Sequence, residues 1–365
     1  MSEFIVDIKK IDQNVNLIKD RLAIDKFYYS LKANSSLFVL EELQKIGCFF
    51  EIASINEYNK VIEIGTKSKD IICGIPVKPI ELLKKIGNEE LEYFVFDDIC
   101  EYDKLVRYAN RNKKVMRIYV SDIDHESAPW GIKSEDFEAI IAKNNEFIQS
   151  VSGLTFHIAR NYQVQKIGRV FDRIEKFLKY FGDRKLIVNL GGGFRGELPP
   201  HLALKYDLNQ YYECVNERIL KVRDKFSVDF FCEPGRGIVQ SACHIITDIE
   251  LVTEKEGKAV VFINLNIGIP VGSHPYKITI MYDGEEEEIY NIERHMSREY
   301  CENIIQTTFV DTICEYESFF TLPLEKKLYI GDRIKMYGMG AYTTVRSSVF
   351  HMRDLLRVKS ENKDG

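Results

Sequence analysis

A lysine stands at the end of a segment with β-strand composition. Lys32 follows residues 27–31, a run rich in aromatic and apolar side chains. Burial among such neighbours removes water from an amine, which lowers its pKa and favours the neutral form that attacks carbonyl groups. The segment predicts a lysine that forms a Schiff base. The alternative is a surface lysine whose stem lies along apolar neighbours.

A glycine triplet follows another β-rich run, residues 186–189. The triplet consists of Gly191, Gly192 and Gly193. Without side chains in the way, the backbone N–H groups of such a turn can approach an anion closely. The triplet predicts a phosphate cradle, with an ordinary tight turn as the structural alternative.

An acid and an arginine follow the β-rich run at residues 228–232. They lie in the segment 232–237, which contains Glu233, Gly235 and Arg236. A guanidinium suits a phosphate group, and a carboxylate suits a protonated ring nitrogen. The segment predicts contacts to two ends of one ligand, and a buried salt bridge that closes the barrel is the alternative.

A histidine, His157, ends the β-rich run at residues 154–157. A single histidine in a strand is more often a hydrogen-bonded core residue than a catalytic one. In combination, however, a reactive lysine, a phosphate cradle and a partner for a ring nitrogen describe a site for pyridoxal 5'-phosphate (PLP).

These residues need a frame that brings strand ends together. Eight β-rich runs alternate with helix-like stretches within residues 1–245, and several runs are apolar throughout, as strands buried on both faces are. The alternation predicts a (β/α)8 TIM-like barrel that binds PLP. Barrel enzymes place catalytic groups at the carboxyl ends of the strands, where Lys32, His157, Gly191 and Glu233 fall.

The remainder of the chain has a different composition. Over residues 246–356, β-rich runs follow one another without long helices, and Asp283-Gly284 is a hairpin turn signal. We expect a C-terminal β-sandwich or β-barrel domain there. Residues 357–365 are polar and are expected to be a disordered tail or a linker to a further domain.

Composition argues against several functions. The 365 residues include 50 Lys plus Arg and 56 Asp plus Glu, so the net charge of −6 makes nucleic-acid binding a poor candidate. No apolar run reaches the roughly 18 residues of a membrane-spanning helix. The eight cysteines form no Cys-x-x-Cys pair. We therefore expect no metal site, and free thiols in the reducing cytoplasm.

Three segments together resemble the fold-type III PLP-dependent decarboxylases, which include the ornithine, diaminopimelate and lysine enzymes. They are residues 29–34 (YSLKAN), 50–57 (FEIASINE) and 340–343 (GAYT). The likeness extends from about residue 4 to residue 353 and implies a barrel of the alanine-racemase type followed by a β domain. It also implies that Lys32 is the Schiff-base lysine and that His157 stacks on the cofactor ring.

The resemblance assigns further cofactor contacts along the whole chain. They are Ser54, Arg160, Gly191, Gly192, Gly193, Glu233, Gly235, Arg236 and Tyr342. Glu51 and Glu57 match polar positions of the same segment as Ser54.

A further segment, residues 312–317 (TICEYE), resembles the family's Cys-Asp or Cys-Glu motif. The resemblance implies that Cys314 returns a proton to the reaction intermediate and that Glu315 contacts the substrate. In the family, this segment enters the active site of the partner subunit. A homodimer with shared active sites is therefore implied.

Departures from the family pattern fall at positions that face the substrate. Arg160 stands where a phosphate-binding serine is usual and could bind phosphate or a substrate anion. Residues 128–131 lack a usual basic contact. His274 stands where diaminopimelate decarboxylases have an arginine, which argues against diaminopimelate as the substrate. The N-terminal segment is short, so we expect the β domain to lack one strand.

These departures leave the substrate open. Glu315, His274, Arg160 and Tyr342 are the predicted substrate contacts. They could bind a basic amine or an anionic group. An amino acid attached to a larger group is a further option, as in a natural-product pathway for antibiotic biosynthesis such as a microcin C-type pathway.

Two other functions are compatible with the fold. One is an amino-acid racemase, although Glu233, Arg236, Cys314 and Glu315 favour decarboxylation. The other is a non-catalytic binding protein of decarboxylase ancestry, which would have no need of Lys32, His157, Glu233 and Cys314.

Overall fold

The computed structural model describes residues 2–124, 129–157, 164–265, 274–297, 304–312 and 318–361. In this part of the chain the strands are β1 (Glu3–Val6), β2 (Lys26–Ser30), β3 (Phe49–Ile52), β4 (Ile71–Cys73), β5 (Tyr93–Phe96), β6 (Lys114–Arg117), β7 (Gly153–Thr155), β8 (Leu186–Asn189), β9 (Val228–Cys232), β10 (Cys243–Lys255), β11 (Lys258–Ile263), β12 (Lys277–Tyr282), β13 (Glu285–Asn291), β14 (Ile305–Asp311), β15 (Ser318–Leu324), β16 (Arg333–Tyr337) and β17 (Arg357–Ser360).

The helices of the same ranges are α1 (Ile8–Arg21), α2 (Leu37–Lys45), α3 (Ile55–Glu63), α4 (Ile80–Ile86), α5 (Ile99–Tyr108), α6 (Ser121–Asp124), α7 (Ser134–Lys143), α8 (Phe147–Ser150), α9 (Val164–Leu178), α10 (Pro200–Ala203), α11 (Leu208–Arg223), α12 (Arg236–Val239) and α13 (Ile292–Ser297). Two 3-10 turns matter below, Leu31–Ala33 and Thr344–Arg346. Across the described residues, no helix is both long and apolar enough to cross a membrane.

The strands β2 to β9 close into a parallel barrel. Each pairs with the next, and β9 returns to β2 through the register Lys26↔Phe231. These strands coincide with the eight β-rich runs, so the predicted TIM-like barrel is confirmed.

Alternation along the barrel strands separates two sets of side chains. One set forms its own buried apolar cluster in the barrel: Tyr28, Ile72, Tyr93, Val95, Val115, Ile187 and Phe231. Two residues further along β2, β6, β8 and β9, the same face carries Ser30, Arg117, Asn189 and Glu233. The apolar layer is thus followed by a polar layer at the carboxyl ends of the strands, where barrel enzymes have their active sites.

The second sheet lies in the C-terminal domain, and its order is β13-β12-β16-β10-β11-β14-β15. The hairpin predicted at Asp283-Gly284 joins β12 to β13, and both residues have positive φ, as a tight hairpin turn requires. A β domain that follows the barrel is therefore also confirmed.

The C-terminal end of the chain differs from the expectation. Strand β1 pairs with β10, so the short N-terminal segment contributes one strand to the second sheet. Residues 357–360, expected in a disordered tail, form β17 and pair in parallel with β1. The backbone of β1 offers an edge for pairing, and Lys359 forms an ion pair with Glu3. The low hydrophobicity of the tail gives no sign of this long-range pairing.

The two domains meet beside Lys32. The N–H of Tyr342 donates to the carbonyl of Ala33 at 2.7 Å, and the Asn34 side-chain amide donates to the carbonyl of Gly340 at 3.1 Å. Tyr342 has a φ of +58°, a backbone angle that residues other than glycine rarely adopt. These contacts hold the β domain against the carboxyl end of the barrel.

Candidate active site

A cavity of about 290 Å³ opens where the barrel strands end and the β domain begins. Its lining among the described residues consists of Ser30, Lys32, His157, Gly192, Gly193, Arg195, Glu233, Gly235, Arg236, Gly237, Tyr342 and Arg346. We call the residues up to Gly237 the barrel wall, and Tyr342 with Arg346 the β-domain wall. The volume is near the lower end of the range for small-molecule sites.

Lys32 lies in the 3-10 turn that directly follows β2, and its amine contacts an acid. Its Nζ is 3.2 Å from Oε2 of Glu51, and the Ser30 hydroxyl donates to the same oxygen at 2.5 Å. Glu51 is only 2% exposed, and its strand position is directly opposite Ser30. The negative charge of Glu51 raises the pKa of Lys32 above its ordinary value, against the opposing effect of burial.

The expectation of a lowered pKa for Lys32 is therefore wrong for this structure, although burial by itself acts in that direction. The neighbours of the amine include a buried carboxylate as well as apolar side chains. A nearby opposite charge stabilises the ammonium form, and here it outweighs desolvation. Lys32 must give up a proton before it can act as a nucleophile, and Glu51 is a carboxylate in hydrogen-bond contact with it.

Glu233 follows β9 and lies in the polar layer of the barrel. The Asn189 side-chain amide donates to Oε1 of Glu233 at 2.6 Å, and the Glu233 N–H donates to the carbonyl of Gly191 at 2.7 Å. Burial, reinforced by the charge of Glu51, raises the pKa of Glu233 to about 7. The Glu233 carboxylate is therefore poised to bind a cationic ligand group, which would restore its ionised form.

Two further residues of this layer, Asn189 and Arg117, were not predicted to belong to the site. Asn189 bonds Glu233, and its Oδ1 also accepts the Gly191 N–H at 2.8 Å, so it links the acid to the glycine turn. The positive charge of Arg117, at the end of β6, opposes the rise in the pKa of Glu233. The alternation of side chains along each strand could have indicated both residues, because each lies two positions beyond a buried apolar residue and therefore on the same face of the strand.

His157 follows β7 and faces the glycine turn. Its Nδ1 is 3.5 Å from the backbone nitrogen of Gly192. A Cβ on Gly192 would be 2.9 Å from the Glu233 carbonyl oxygen and 3.2 Å from Cε1 of His157, so this close approach requires glycine. Desolvation, with repulsion from Lys32 and Arg117, lowers the pKa of His157 to about 4. The imidazole is therefore neutral at physiological pH.

Arg236 and Tyr342 meet across the boundary between the two domains. Arg236 is the first residue of α12, and its guanidinium carbon is 4.7 Å from the centre of the Tyr342 ring. A Cβ on Gly235 would be 2.9 Å from the Cβ of Ala33, so the segment packs directly against the lysine turn. Arg346, which the sequence analysis did not single out, lies 5.9 Å from the same Tyr342 ring.

The cavity does not gather every residue that was predicted to belong to the site. Ser54 is absent from the lining, and its hydroxyl accepts the Glu57 N–H at 3.2 Å as the N-cap of α3. His274 is exposed and also absent from the lining, and its ring is 6.1 Å from that of Phe320. The predictions for Arg160, Cys314 and Glu315 fall outside the described residues.

Comparison with known proteins decides which group of enzymes has this arrangement. The family model described as "pyridoxal-dependent decarboxylase, pyridoxal binding domain" matches residues 8–240, more than half of the chain. The chain belongs to this family. It is a PLP-dependent carboxy-lyase, and its barrel is the PLP-binding domain.

The relatives of the chain support this assignment over nearly its full length. The lysine/ornithine decarboxylase of Selenomonas ruminantium is 24% identical over 370 residues, covering 95% of this chain and 86% of that protein. Among solved structures, the arginine decarboxylase of Paramecium bursaria Chlorella virus has a TM-score of 0.82 at 19% identity, covering 98% of this chain and 95% of that one.

A second structural neighbour is the lysine/ornithine decarboxylase of Vibrio vulnificus in complex with cadaverine. It has a TM-score of 0.80 at 20% identity and covers 100% of this chain and 95% of that one. At these identities the two structural neighbours establish the shared fold.

The residues of the cavity fit PLP. Lys32 offers a primary amine for its aldehyde, and Glu233 is a half-buried carboxyl with a raised pKa that could bind a protonated ring nitrogen. Gly192 and Gly235 leave space that a Cβ would fill. Arg236 supplies a guanidinium of the kind that binds phosphate.

Proposed function

We propose that the protein removes the α-carboxylate of an amino acid, or of an amino acid carried by a larger molecule, with PLP held at Lys32. The observation that carries the proposal is that Lys32, His157, Glu233, Arg236 and Tyr342 line one cavity. When bound, PLP supplies an electron sink for the charge left by departing carbon dioxide.

Glu51 and Glu233 have different parts in the proton chemistry of the site. The charge of Glu51 holds Lys32 in its ammonium form, because its Oε2 is 3.2 Å from Nζ. Glu233 holds a proton on the ring nitrogen, and its bond from Asn189 fixes the carboxyl group in place. Glu51 is buried and Glu233 is half-buried, so the interactions of Glu51 in particular are weakly screened by water.

His157, Arg236 and Tyr342 position the ligand. The neutral ring of His157 can pack against a flat cofactor without adding charge. Arg236 and Tyr342 hold the phosphate together with the N–H groups of Gly192 and Gly193. This assignment of roles rests on the cavity geometry and on the resemblance of the motifs.

Cys314 and Glu315 complete the proposed site from a second copy of the chain. In this proposal the Cys314 thiol returns a proton to the α-carbon and Glu315 contacts the substrate. The protein then acts as a homodimer with two shared sites in the cytoplasm. The substrate is proposed to differ from diaminopimelate, and an intermediate of antibiotic biosynthesis is one candidate class.

The first experiment is the visible absorbance spectrum of the purified protein, recorded before and after borohydride reduction. We expect a band of lysine-bound PLP that bleaches on reduction and leaves the label on Lys32. Lys32→Ala should lose both the label and carbon dioxide release, whereas Lys45→Ala, which removes an exposed lysine paired with Glu42, should keep both. Full turnover in Lys32→Ala would contradict the proposal.

A mixing experiment tests the shared sites. In the proposed dimer, the Lys32 and the Cys314 of one site come from different subunits. Co-refolded in equal amounts, they should regain about a quarter of the wild-type activity, because half of the dimers contain one intact site of two. No recovery, with heterodimers shown to form by affinity capture through a tag carried by one variant only, would place both residues in one subunit's site.

A further inference from the structure

One buried lysine has no part in the proposed decarboxylation. Lys78 lies in the loop of residues 74–79, called the β4 loop because it follows β4, and its side chain is 0% exposed. Burial removes water from an ammonium group, which is costly unless hydrogen bonds and an opposite charge replace the water. The contacts of the Lys78 amine therefore show what the buried charge holds together.

The Lys78 amine joins the β4 loop to the next strand and helix. Its Nζ donates to the carbonyl of Ile75 in the same loop at 2.8 Å and to the carbonyl of Val95 in β5. Oε1 of Glu101, in the first turn of α5, accepts from the Lys78 N–H at 2.9 Å and lies 3.4 Å from Nζ. Lys78 thus fixes the position of the loop relative to β5 and α5.

The first residue of the β4 loop packs against the acid that contacts Lys32. A Cβ on Gly74 would lie 2.5 Å from Oε1 of Glu51, closer than real side chains approach, so glycine is required here. The N–H of Gly74 also donates to the carbonyl of Ile52 at 3.1 Å. Oε2 of Glu51 contacts Lys32 at 3.2 Å and accepts from the Ser30 hydroxyl. The loop therefore lies against one oxygen of the carboxylate, and Lys32 lies against the other.

These contacts form a continuous path from Lys78 to the active site. From this geometry we propose that Lys78 is a positioning residue, which holds the β4 loop against Glu51 and thereby keeps that carboxylate in contact with the Lys32 amine. The assignment rests on the proposed role of Lys32 as the lysine that holds PLP. Lys78 itself is absent from the described lining of the cavity, so it acts through Glu51.

The charge of Lys78 and its positioning role have opposite effects on Lys32. Removal of a nearby positive charge, by itself, stabilises the ammonium form of Lys32 and raises its pKa. Loss of the Glu51 contact destabilises that form and lowers the pKa. The direction of the change in Lys78→Met therefore separates the two effects. The other titratable groups that interact with either lysine stay in that variant: Glu233, Tyr342, His157, Cys73, Glu101 and Asp97.

The reactivity of the Lys32 amine reports its pKa, because acetic anhydride labels only the neutral form. The full-length protein freed of PLP is labelled with a trace of the anhydride at several pH values near neutrality. Mass spectrometry of the Lys32 peptide gives the labelling rate relative to an added free amino acid. The variants are Lys78→Met, Glu51→Gln and the combination of both.

Lys114→Met is the matched control. Lys114 is buried like Lys78, and its Nζ donates to two backbone carbonyls, those of Asn110 and Asn112, both at 3.0 Å. It is the first residue of β6 and therefore lies at the amino end of the barrel, opposite the cavity. Both methionine variants lose a buried amine and its hydrogen bonds, and thermal unfolding compares their stability.

We expect Lys32 to be labelled faster in Lys78→Met than in the wild type, as in Glu51→Gln. The rate should change about tenfold for each unit by which the pKa of Lys32 falls. Lys78→Met should add nothing to Glu51→Gln, because that variant has no carboxylate left to position. Lys114→Met should be labelled at the wild-type rate.

Gly74→Ala tests the same path and keeps the proposal open to refutation if Lys78→Met does not fold. The added Cβ displaces the Glu51 carboxylate without removing a charge. The labelling rate of Lys32 should change in Gly74→Ala, and this change should disappear when Glu51→Gln is also present. Identical rates for Gly74→Ala and the wild type would overturn the proposal.

Three results with Lys78→Met would also overturn it. The first is labelling of Lys32 that is slower than in the wild type or unchanged. The second is an acceleration of equal size with and without Glu51→Gln. The third is an equal acceleration in Lys114→Met. Failure of the proposed decarboxylase function would instead appear as an absent borohydride label on Lys32, because labelling by the anhydride needs no PLP.

Discussion

The barrel wall and the β-domain wall of the cavity differ in secondary structure and in burial. The barrel wall rests on strand ends whose polar side chains bond one another, and Asn189 and Glu51 behind it are 0% and 2% exposed. The β-domain wall consists of turns, in which Tyr342 has a φ of +58° and Arg346 is exposed. A backbone hydrogen bond to Ala33 and a hydrogen bond from the side-chain amide of Asn34 join the two walls.

This contrast separates two tasks of one site. Side chains fixed by strand register and by buried hydrogen bonds can hold charges at constant distances, which electrostatic catalysis requires. Side chains on turns tolerate replacement and can be adapted to a new ligand. Changes to the barrel wall should therefore affect the rate of chemistry, and changes to the β-domain wall should affect which substrate binds.

The strongest test of the barrel wall is Glu233→Gln. The amide keeps the shape of the side chain but removes the charge that holds a proton on the ring nitrogen. We expect kcat to fall about 100-fold or more, as for the loss of an acid-base group, while PLP still binds. Steady-state carbon dioxide release measures the effect.

Asp229→Asn is the matched control for this change. Asp229 lies on the same strand but pairs with Lys185 at the surface, at 2.9 Å. Its kcat should equal that of the wild type. An unchanged kcat in fully loaded Glu233→Gln would remove the acid from the mechanism and weaken the distinction between the walls.

Gly192→Ala should weaken the binding of PLP. The added Cβ would lie 2.9 Å from the Glu233 carbonyl oxygen, a backbone atom that cannot move freely. We expect the Kd for PLP to rise about tenfold, equivalent to roughly 1.4 kcal/mol, in a fluorescence titration. Gly168→Ala is the control, because its Cβ meets only the mobile end of Arg218, at 3.0 Å. Equal Kd values for the two variants would contradict a tight cradle.

The sequence could predict much of the barrel wall. The apolar runs predicted the eight strands, and Lys32, His157 and Glu233 lie one or two residues beyond the ends of three of them. The contact of Lys32 with Glu51 was not predictable by composition, because it depends on the register that places Ser30 opposite Glu51. The pairing register of β2 and β3 brings Glu51 close to Lys32, and the charge of Glu51 reverses the expected direction of the Lys32 pKa shift.

The β-domain wall was less accessible to sequence reasoning. Tyr342 was found by its motif, but Arg346 lies in a turn whose position in the cavity depends on how two domains pack. Strand β17 was missed for a related reason, since it is stabilised by pairing with β1 from the other end of the chain. Local patterns carry no information about such long-range contacts.

Asn34→Ala tests the hydrogen bond that joins the two walls. The change removes the bond from the Asn34 amide to the carbonyl of Gly340 and leaves a buried acceptor unpaired. We expect KM to rise several-fold with little change in kcat, because the β-domain wall moves while the barrel wall stays. Steady-state kinetics and thermal unfolding are measured together.

Asn112→Ala separates stability from position. Asn112 is also buried, and its amide donates to the carbonyl of Gly87 at 2.8 Å, away from the cavity. Both variants should lose about 1–3 kcal/mol of stability, as expected for one unpaired buried group. If Asn112→Ala raises KM as much as Asn34→Ala does, the hydrogen bond between Asn34 and Gly340 has no specific role in substrate binding.

We expect Glu51→Gln to have the smallest effect on turnover. Its main effect should be on the pH dependence of PLP uptake. The charge of Glu51 raises the pKa of Lys32, so the amine is protonated below that raised value and the neutral fraction grows as pH increases. Removing the charge lowers the pKa of Lys32 and enlarges the neutral fraction at any fixed pH below it. Uptake of PLP by the protein freed of cofactor should therefore follow a pH profile displaced to lower pH. Each unit of displacement makes uptake about tenfold faster at pH 7.

Stopped-flow absorbance measures that uptake, and Glu42→Gln is the control, since Glu42 pairs with Lys45 at a similar 3.1 Å on the surface. Its profile should coincide with that of the wild type. A profile of Glu51→Gln displaced to higher pH, or slower uptake at every pH, would mean that Glu51 acts mainly as the proton acceptor for Lys32. The barrel wall would then work through proton transfer at this position rather than through a fixed charge.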